Sequence, residues 1–190
     1  MATKRQQSSW ATKEPNMRAT ILDAEQFSKL YSFVDQMERP EMYRFMLLLT
    51  EKLGLRPMEL AGMETTWFIG NELRIPIGHS KRKQGRSIPI NAEITAALEA
   101  HMQGSKGRIF RNARGDAFTA NGITDAFRRL YRLAGVQGSC YSGRRTMATR
   151  MVDNKVNIAI VSKVLGHSNI ATTQAYIGVT DNMMRDALFS

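Results

Sequence analysis

Apolar residues recur at helical spacing over most of this chain. Phe27, Leu30, Tyr31 and Val34 fall on one face of a helix that Asp23 can cap. Pro40 opens a second helix carrying Met42, Phe45, Met46 and Leu49, and Gly54 stops it. A short helix is predicted over 57–63. The period then shortens. Residues 65–69 and 72–77 read as strands, and Gly70-Asn71 between them is a hairpin signal. Residues 87–90 make a third short strand. Helical spacing returns over 92–102, 123–133, 142–153 and 158–165, then around Tyr176 and over 182–188. The pattern predicts a mainly α fold with a small antiparallel β-sheet, an α+β domain without internal repeats.

Residues 1–18 break the pattern. They carry Lys4, Arg5, Lys13 and Arg18 against one acid, Glu14, and too few apolar side chains to fold alone. We expect a basic arm over 1–18 and one folded domain over 19–190. A chain of 190 residues, 43% hydrophobic, can build such a domain. Its charge narrows the choice of partner. Lys and Arg number 27 against 17 Asp and Glu, a net of +10, which points to a polyanion such as double-stranded DNA.

Cys140 is the only cysteine, so neither an intrachain disulfide nor a Cys-rich zinc site is available, as suits a reducing cytoplasm. The first residues lack the apolar core of a secretory signal, and the longest apolar run, 45–49, is too short to span a bilayer. The sequence therefore predicts a cytoplasmic protein with no membrane partner. The three histidines stand outside any H-E-x-x-H pattern, and no Gly-rich phosphate loop is present. No metal and no cofactor are expected.

Cutting a DNA strand without metal needs fixed cations around the phosphate oxygens, a nucleophile, and a proton donor for the leaving 5′-oxygen. Arginine suits the first task, because its planar fork donates two parallel hydrogen bonds and stays charged. Four separated segments supply such groups. They are Leu53-Gly54-Leu55-Arg56-Pro57-Met58-Glu59-Leu60, the basic run His79 to Arg86, Tyr141-Ser142-Gly143-Arg144-Arg145-Thr146, and Leu165-Gly166-His167-Ser168 with Tyr176 nine residues after His167.

These segments, in this order, resemble the tyrosine recombinase, or phage integrase, family from about Met17 to the C-terminus. The resemblance implies the DNA breaking and rejoining catalytic fold and the following roles. Arg56 and Arg144 match the two clamp arginines, and Glu59 the acid that accompanies the first. Lys81, counted back from Arg86-Ser87-Ile88-Pro89, matches the hairpin lysine that protonates the 5′-oxygen, with Lys83 in reserve. His167 matches a position that is His or Trp in the family. Tyr176 matches the nucleophile that forms a 3′-phosphotyrosine. Family members act as tetramers around two duplexes. They also carry an N-terminal core-binding domain, which is expected to be absent from this chain.

One position departs from the pattern. Tyr141 stands where the family usually has histidine, three residues before the second arginine. Tyrosine ionises near pH 10 and is a poorer base at neutral pH. The expectation is that Tyr141 offers a hydrogen bond while the clamp cations lower the pKa of Tyr176. Lys83, Arg82, Arg86 and Arg145 are expected to contact DNA phosphates. Lys106, Arg108, Arg111, Arg114, Arg128, Arg129 and Arg132 form further basic clusters. Bland readings stay open: Tyr176 as a packed aromatic, His167 as a helix cap, and His79 and His101 as solvated side chains. Two other functions also remain. One is a DNA-binding regulator that has lost catalysis, which Tyr141 favours. The other is DNA relaxation of the type IB topoisomerase kind.

Overall fold

Helix α1, Ala24–Val34, starts where the sequence places a cap. Asp23 accepts a hydrogen bond from the Gln26 amide at 2.7 Å, and the Gln26 side chain returns one to the Asp23 amide. The computed structural model describes residues 19–79, 85–177, 179 and 181–189. The expected arm, 1–18, and the basic residues Lys81, Arg82 and Lys83 lie outside the described residues.

Helix α2, Pro40–Lys52, runs through the middle of the core. Its buried residues go all the way round, from Met42 and Phe45 to Leu49 and Glu51, because α1, α4 and α6 pack on different sides. Each large apolar side chain buried this way stabilises the fold by about 2 kcal/mol. Gly54, at φ +61°, turns the chain out of α2 in a left-handed conformation that glycine adopts without strain. Helix α3, Pro57–Gly62, follows directly and packs against α5.

The sheet is three short antiparallel strands in the order β1-β2-β3: Phe68–Ile69, Glu72–Ile75 and Arg86–Pro89. Leu73 pairs with Ile88, and both are buried. The first strand is shorter than its sequence suggests. Thr65–Trp67 forms a 3-10 turn instead, with the Thr65 amide bonded to the Gly107 carbonyl at 3.0 Å. That long-range bond fixes the turn and drops Trp67 into the core. The second strand ends at Ile75, before Pro76, which has no N–H to give the ladder.

The remaining helices are α4, Ala92–Met102; α5, Ala120–Leu133; α6, Ser142–Asp153; α7, Ile158–Leu165; α8, Ile170–Tyr176; and α9, Asp181–Phe189. Asn91, Thr119, Asn157 and Asn169 each cap the helix that follows with a side-chain oxygen. Most of the apolar core lies between α1, α2, α4, α5 and the sheet. A second, smaller cluster joins Met147 and Ala148 of α6 to Val161 and Leu165 of α7, with Tyr176 and Ile177 packed against it. This cluster seats α7 and the end of α8 against α6. No helix among the described residues is long and apolar enough to cross a membrane.

Two histidines read as solvated are half-buried. His101 bonds the Ile109 carbonyl through Nε2 at 3.0 Å and stacks on Phe110. His79 meets Trp67 edge-on at 4.7 Å between ring centroids. Both rings lie beside aromatic core residues, which the local sequence does not reveal.

Candidate active site

Arg56 occupies the N-cap position of α3 with extended backbone, φ −86° and ψ 155°. An arginine side chain has no acceptor with which to cap a helix. Glu59, one turn on, does the capping instead and accepts from the Arg56 amide at 2.7 Å. The same carboxylate accepts from the Arg56 guanidinium at 3.0 Å and from Arg86 at 2.9 Å. Its side chain is 1% exposed, so one buried anion bridges two cations.

Arg144 is buried among polar partners. Its guanidinium donates to the Gly54 carbonyl and, at 2.7 Å, to the Leu165 carbonyl. Arg56 donates to that same Leu165 oxygen at 2.9 Å, and Arg86 donates to it as well. Leu165 ends α7, where unpaired carbonyls carry about half a negative charge. Three guanidinium groups thus meet at one helix C-terminus. Gly166 makes the turn possible at φ +62°.

The charge balance at this point is three arginines and one glutamate, a net of two positive charges. Burial, together with like charge from Arg56 and Arg86, lowers the pKa of Arg144 to about 9. It remains charged at neutral pH. A guanidinium has five N–H groups. Arg56 and Arg144 each spend three side-chain hydrogen bonds on described partners, so each has donors left for an anion.

His167 follows the α7 turn. Its Nε2 lies 3.3 Å from the Arg144 guanidinium, which can only donate. Nε2 is therefore the acceptor, and Nδ1 carries the hydrogen toward Thr173 Oγ1 at 2.8 Å. Thr173 is fully buried on α8, three residues before Tyr176. Arg144 thus sets the tautomer of His167, and the helix that carries the tyrosine supplies the acceptor for its Nδ1–H.

Tyr176 ends α8 with its ring edge-on to His167, 6.0 Å between centroids. Its hydroxyl donates to the Tyr141 carbonyl at 3.3 Å. Tyr141 sits just before α6 and is 41% exposed. Arg56, Tyr141, Arg144, His167 and Tyr176 line one open cleft of about 560 Å³. Pro57, Met58, Ala120, Asn121 and Thr124 complete its wall.

Three expectations change. Arg86 is not an outward phosphate contact: it is 10% exposed and spent on Glu59 and Leu165, because it shares the inward face of β3 with Ile88. Arg145 also turns inward, donating to the Tyr176 carbonyl at 3.1 Å and to the Ala19 carbonyl. It ties the end of α8 to Ala19, ahead of α1. Finally, the clamp does not lower the pKa of Tyr176 below its ordinary value. Burial raises it, and Arg144, Arg145 and Arg56 only partly offset that rise. Burial likewise raises Tyr141.

Thr173 and the carbonyls of Gly54 and Leu165 went unread in the sequence. Thr173 lies one turn before Tyr176, which is a usable signal. Backbone carbonyls have none. Among the described residues no cluster of three or more His, Cys, Asp or Glu side chains gathers to hold a metal ion.

A model of the phage integrase family matches residues 20–183. The chain belongs to the phage integrase family. It is 28% identical over 181 residues to the tyrosine recombinase XerA of Thermococcus kodakarensis, covering 92% of this chain and 64% of the relative. It is 26% identical over 156 residues to the tyrosine recombinase XerD of Halalkalibacterium halodurans, covering 74% of this chain and 50% of the relative. The chain thus spans about half to two-thirds of the length of these relatives. Solved structures share the fold. A XerA recombinase superposes with a TM-score of 0.75 at 22% identity, over 91% of this chain and 65% of that one. The catalytic domain of bacteriophage HP1 integrase gives 0.68 at 20% identity, over 89% and 93%. A XerH recombinase bound to palindromic difH substrate in a post-cleavage complex gives 0.73 at 18%, over 92% and 53%. This integrase-family fold carries the cleft described above.

Proposed function

We propose that the chain performs the cutting and rejoining steps of a site-specific DNA recombinase, with Tyr176 as nucleophile. The observation that carries this reading is the cleft itself. A half-buried phenol stands at the mouth of a site built from Arg56 and Arg144, each with unspent N–H donors. A phosphodiester entering there meets a net of two positive charges and two planar donor forks.

The phenolate oxygen of Tyr176 attacks phosphorus, and the bond from phosphorus to the 5′-oxygen breaks. A 3′-phosphotyrosine forms and the 5′-oxygen leaves as a hydroxyl. Lys81 supplies that proton. The phenol proton departs to solvent through the open cleft, helped by the incoming pull of the clamp arginines on the charge that develops. A 5′-hydroxyl of the partner strand then attacks the phosphotyrosine, restoring the diester and freeing Tyr176. The ester linkage conserves the bond energy, so neither ATP nor a metal is needed. Exchange between two duplexes involves four strands, and we assign one protomer to each, a tetramer on DNA in the cytoplasm.

His167 holds its Nε2 lone pair toward Arg144 and orients that guanidinium. Tyr141 adds a hydroxyl at the cleft wall where it can bond a phosphate oxygen. One observation favours a second reading, a DNA-binding regulator without catalysis: both Tyr141 and Tyr176 are pushed away from ionisation by burial. A nicked suicide duplex carrying the recombination site separates the two. Recombinase chemistry gives a covalent protein–DNA adduct that disappears in Tyr176→Phe. Tight binding with no adduct from the parent chain assigns the regulator.

A further inference from the structure

Arg86 stands apart from the residues assigned so far. It is the first residue of β3, at the end of the basic run, yet its guanidinium points away from solvent into the clamp. It holds Glu59 at 2.9 Å and the Leu165 carbonyl, the two acceptors that also hold Arg56. Its buried Nε has no hydrogen-bond partner among the described residues. A buried donor without an acceptor is costly, so the side chain keeps this place through its two terminal nitrogens.

The arrangement has an electrostatic consequence. With Arg86 absent, Glu59 would pair with Arg56 alone, and the pair would present little net charge to a phosphate. With Arg86 present, one carboxylate is divided between two cations. We infer that Arg86 is a positioning residue of the clamp: by sharing Glu59 it leaves Arg56 net positive toward the scissile phosphate, and through Leu165 it fixes the point on which Arg56 and Arg144 pivot. The inference rests on the phosphate-clamp reading of the cleft and deepens it. Arg86 is not among the residues that line the cleft with Tyr176. It acts through charge and through Arg56.

The test compares Arg86→Lys, which keeps the charge, with Arg86→Gln and Arg86→Met, which remove it. Three quantities are read on each full-length variant: the rate of adduct formation on the suicide duplex, the dissociation constant for that duplex, and the melting-temperature rise given by inorganic sulfate. The inference expects Gln and Met to slow adduct formation by about 100-fold, the size of losing one oxyanion-stabilising donor. Binding of the duplex stays within about threefold, since most affinity comes from other phosphate contacts. Lys recovers the rate to within about tenfold of the parent. Sulfate stabilises the parent and the Lys variant but not Gln or Met.

Gln or Met cleaving at nearly the parental rate would overturn the inference, as would a Lys variant no better than Gln. If the parent chain itself forms no adduct, the nucleophile reading fails on its own. The sulfate shifts then still decide. Shifts lost in Gln and Met but kept in Lys support the charge-sharing role, and equal shifts in all four proteins sink it.

Discussion

Glu59→Gln removes the one buried anion among three arginines. The carboxylate accepts from the Arg56 amide and Arg86 at Oε2 and from the Arg56 guanidinium at Oε1. Glutamine can supply only one of those two oxygens, and its NH2 must face an arginine donor. The substitution therefore breaks at least one charge-assisted bond and leaves Arg56, Arg86 and Arg144 uncompensated. Removing one partner of a buried pair costs about 3–5 kcal/mol. Arg56 and Arg86 retain 20% and 10% exposure, which lets water recover part of that, so about 3 kcal/mol is expected. In a domain of this size the melting temperature falls by about 9 °C. The loss should also depend on anions. Sulfate can occupy the cleft of both proteins, but it binds the more positive variant more tightly, and a dissociation constant about tenfold lower there narrows the gap by up to about 1.4 kcal/mol. Urea unfolding in sulfate, against chloride at equal ionic strength, reads both effects. A loss below about 1 kcal/mol, the range of an exposed ion pair, or a gap between variant and parent that sulfate leaves unchanged, refutes the buried-bridge account.

Further outcomes follow from other contacts. Thr173→Val takes the acceptor from His167 Nδ1–H, and adduct formation should drop about tenfold with duplex binding unchanged; an unaltered rate means that Thr173 does not hold the His167 ring in place. Gly166→Ala forces a left-handed alanine, costing about 1–2 kcal/mol, and places a Cβ 2.8 Å from the Arg86 guanidinium, so cleavage should fall further than stability alone explains. Burial raises the pKa of Tyr31, Tyr131 and Tyr176 above the unfolded value. Their contribution to stability is whole below about pH 10 and is lost as pH rises beyond it. Urea midpoints at successive alkaline pH values check this, and a midpoint that holds steady well into the alkaline range contradicts it.

Much of this molecule is legible in its sequence, for identifiable reasons. The bounds of α4, α6 and α7 match the apolar spacing because each has a turn or cap residue at its start and a stop at its end. Helix α5 begins three residues before its first apolar anchor, Ile123, because Thr119 caps a polar first turn. Residues 65–67 look like strand by composition but are captured by a bond to Gly107, forty-two residues away. In the site, Arg56, Tyr141, Arg144, His167 and Tyr176 come together as the motif order suggests. Arg86 misled because a run of basic residues reads as surface. Its alternation with Ile88 along β3 was the available sign that it faces inward. The convergence on the Leu165 carbonyl had no sign at all, since a main-chain oxygen looks the same at every position. The cost of burying the Tyr176 phenol depends on α6 and α7 packing beneath it, which only the folded chain displays.

The most direct measurement is the identity of the residue joined to DNA. The trapped adduct is digested with nuclease and protease, and mass spectrometry locates the residual nucleotide. We predict it on Tyr176, linked through a 3′-phosphate. A nucleotide found on Tyr141 or any other side chain, or linked through a 5′-phosphate, contradicts the account.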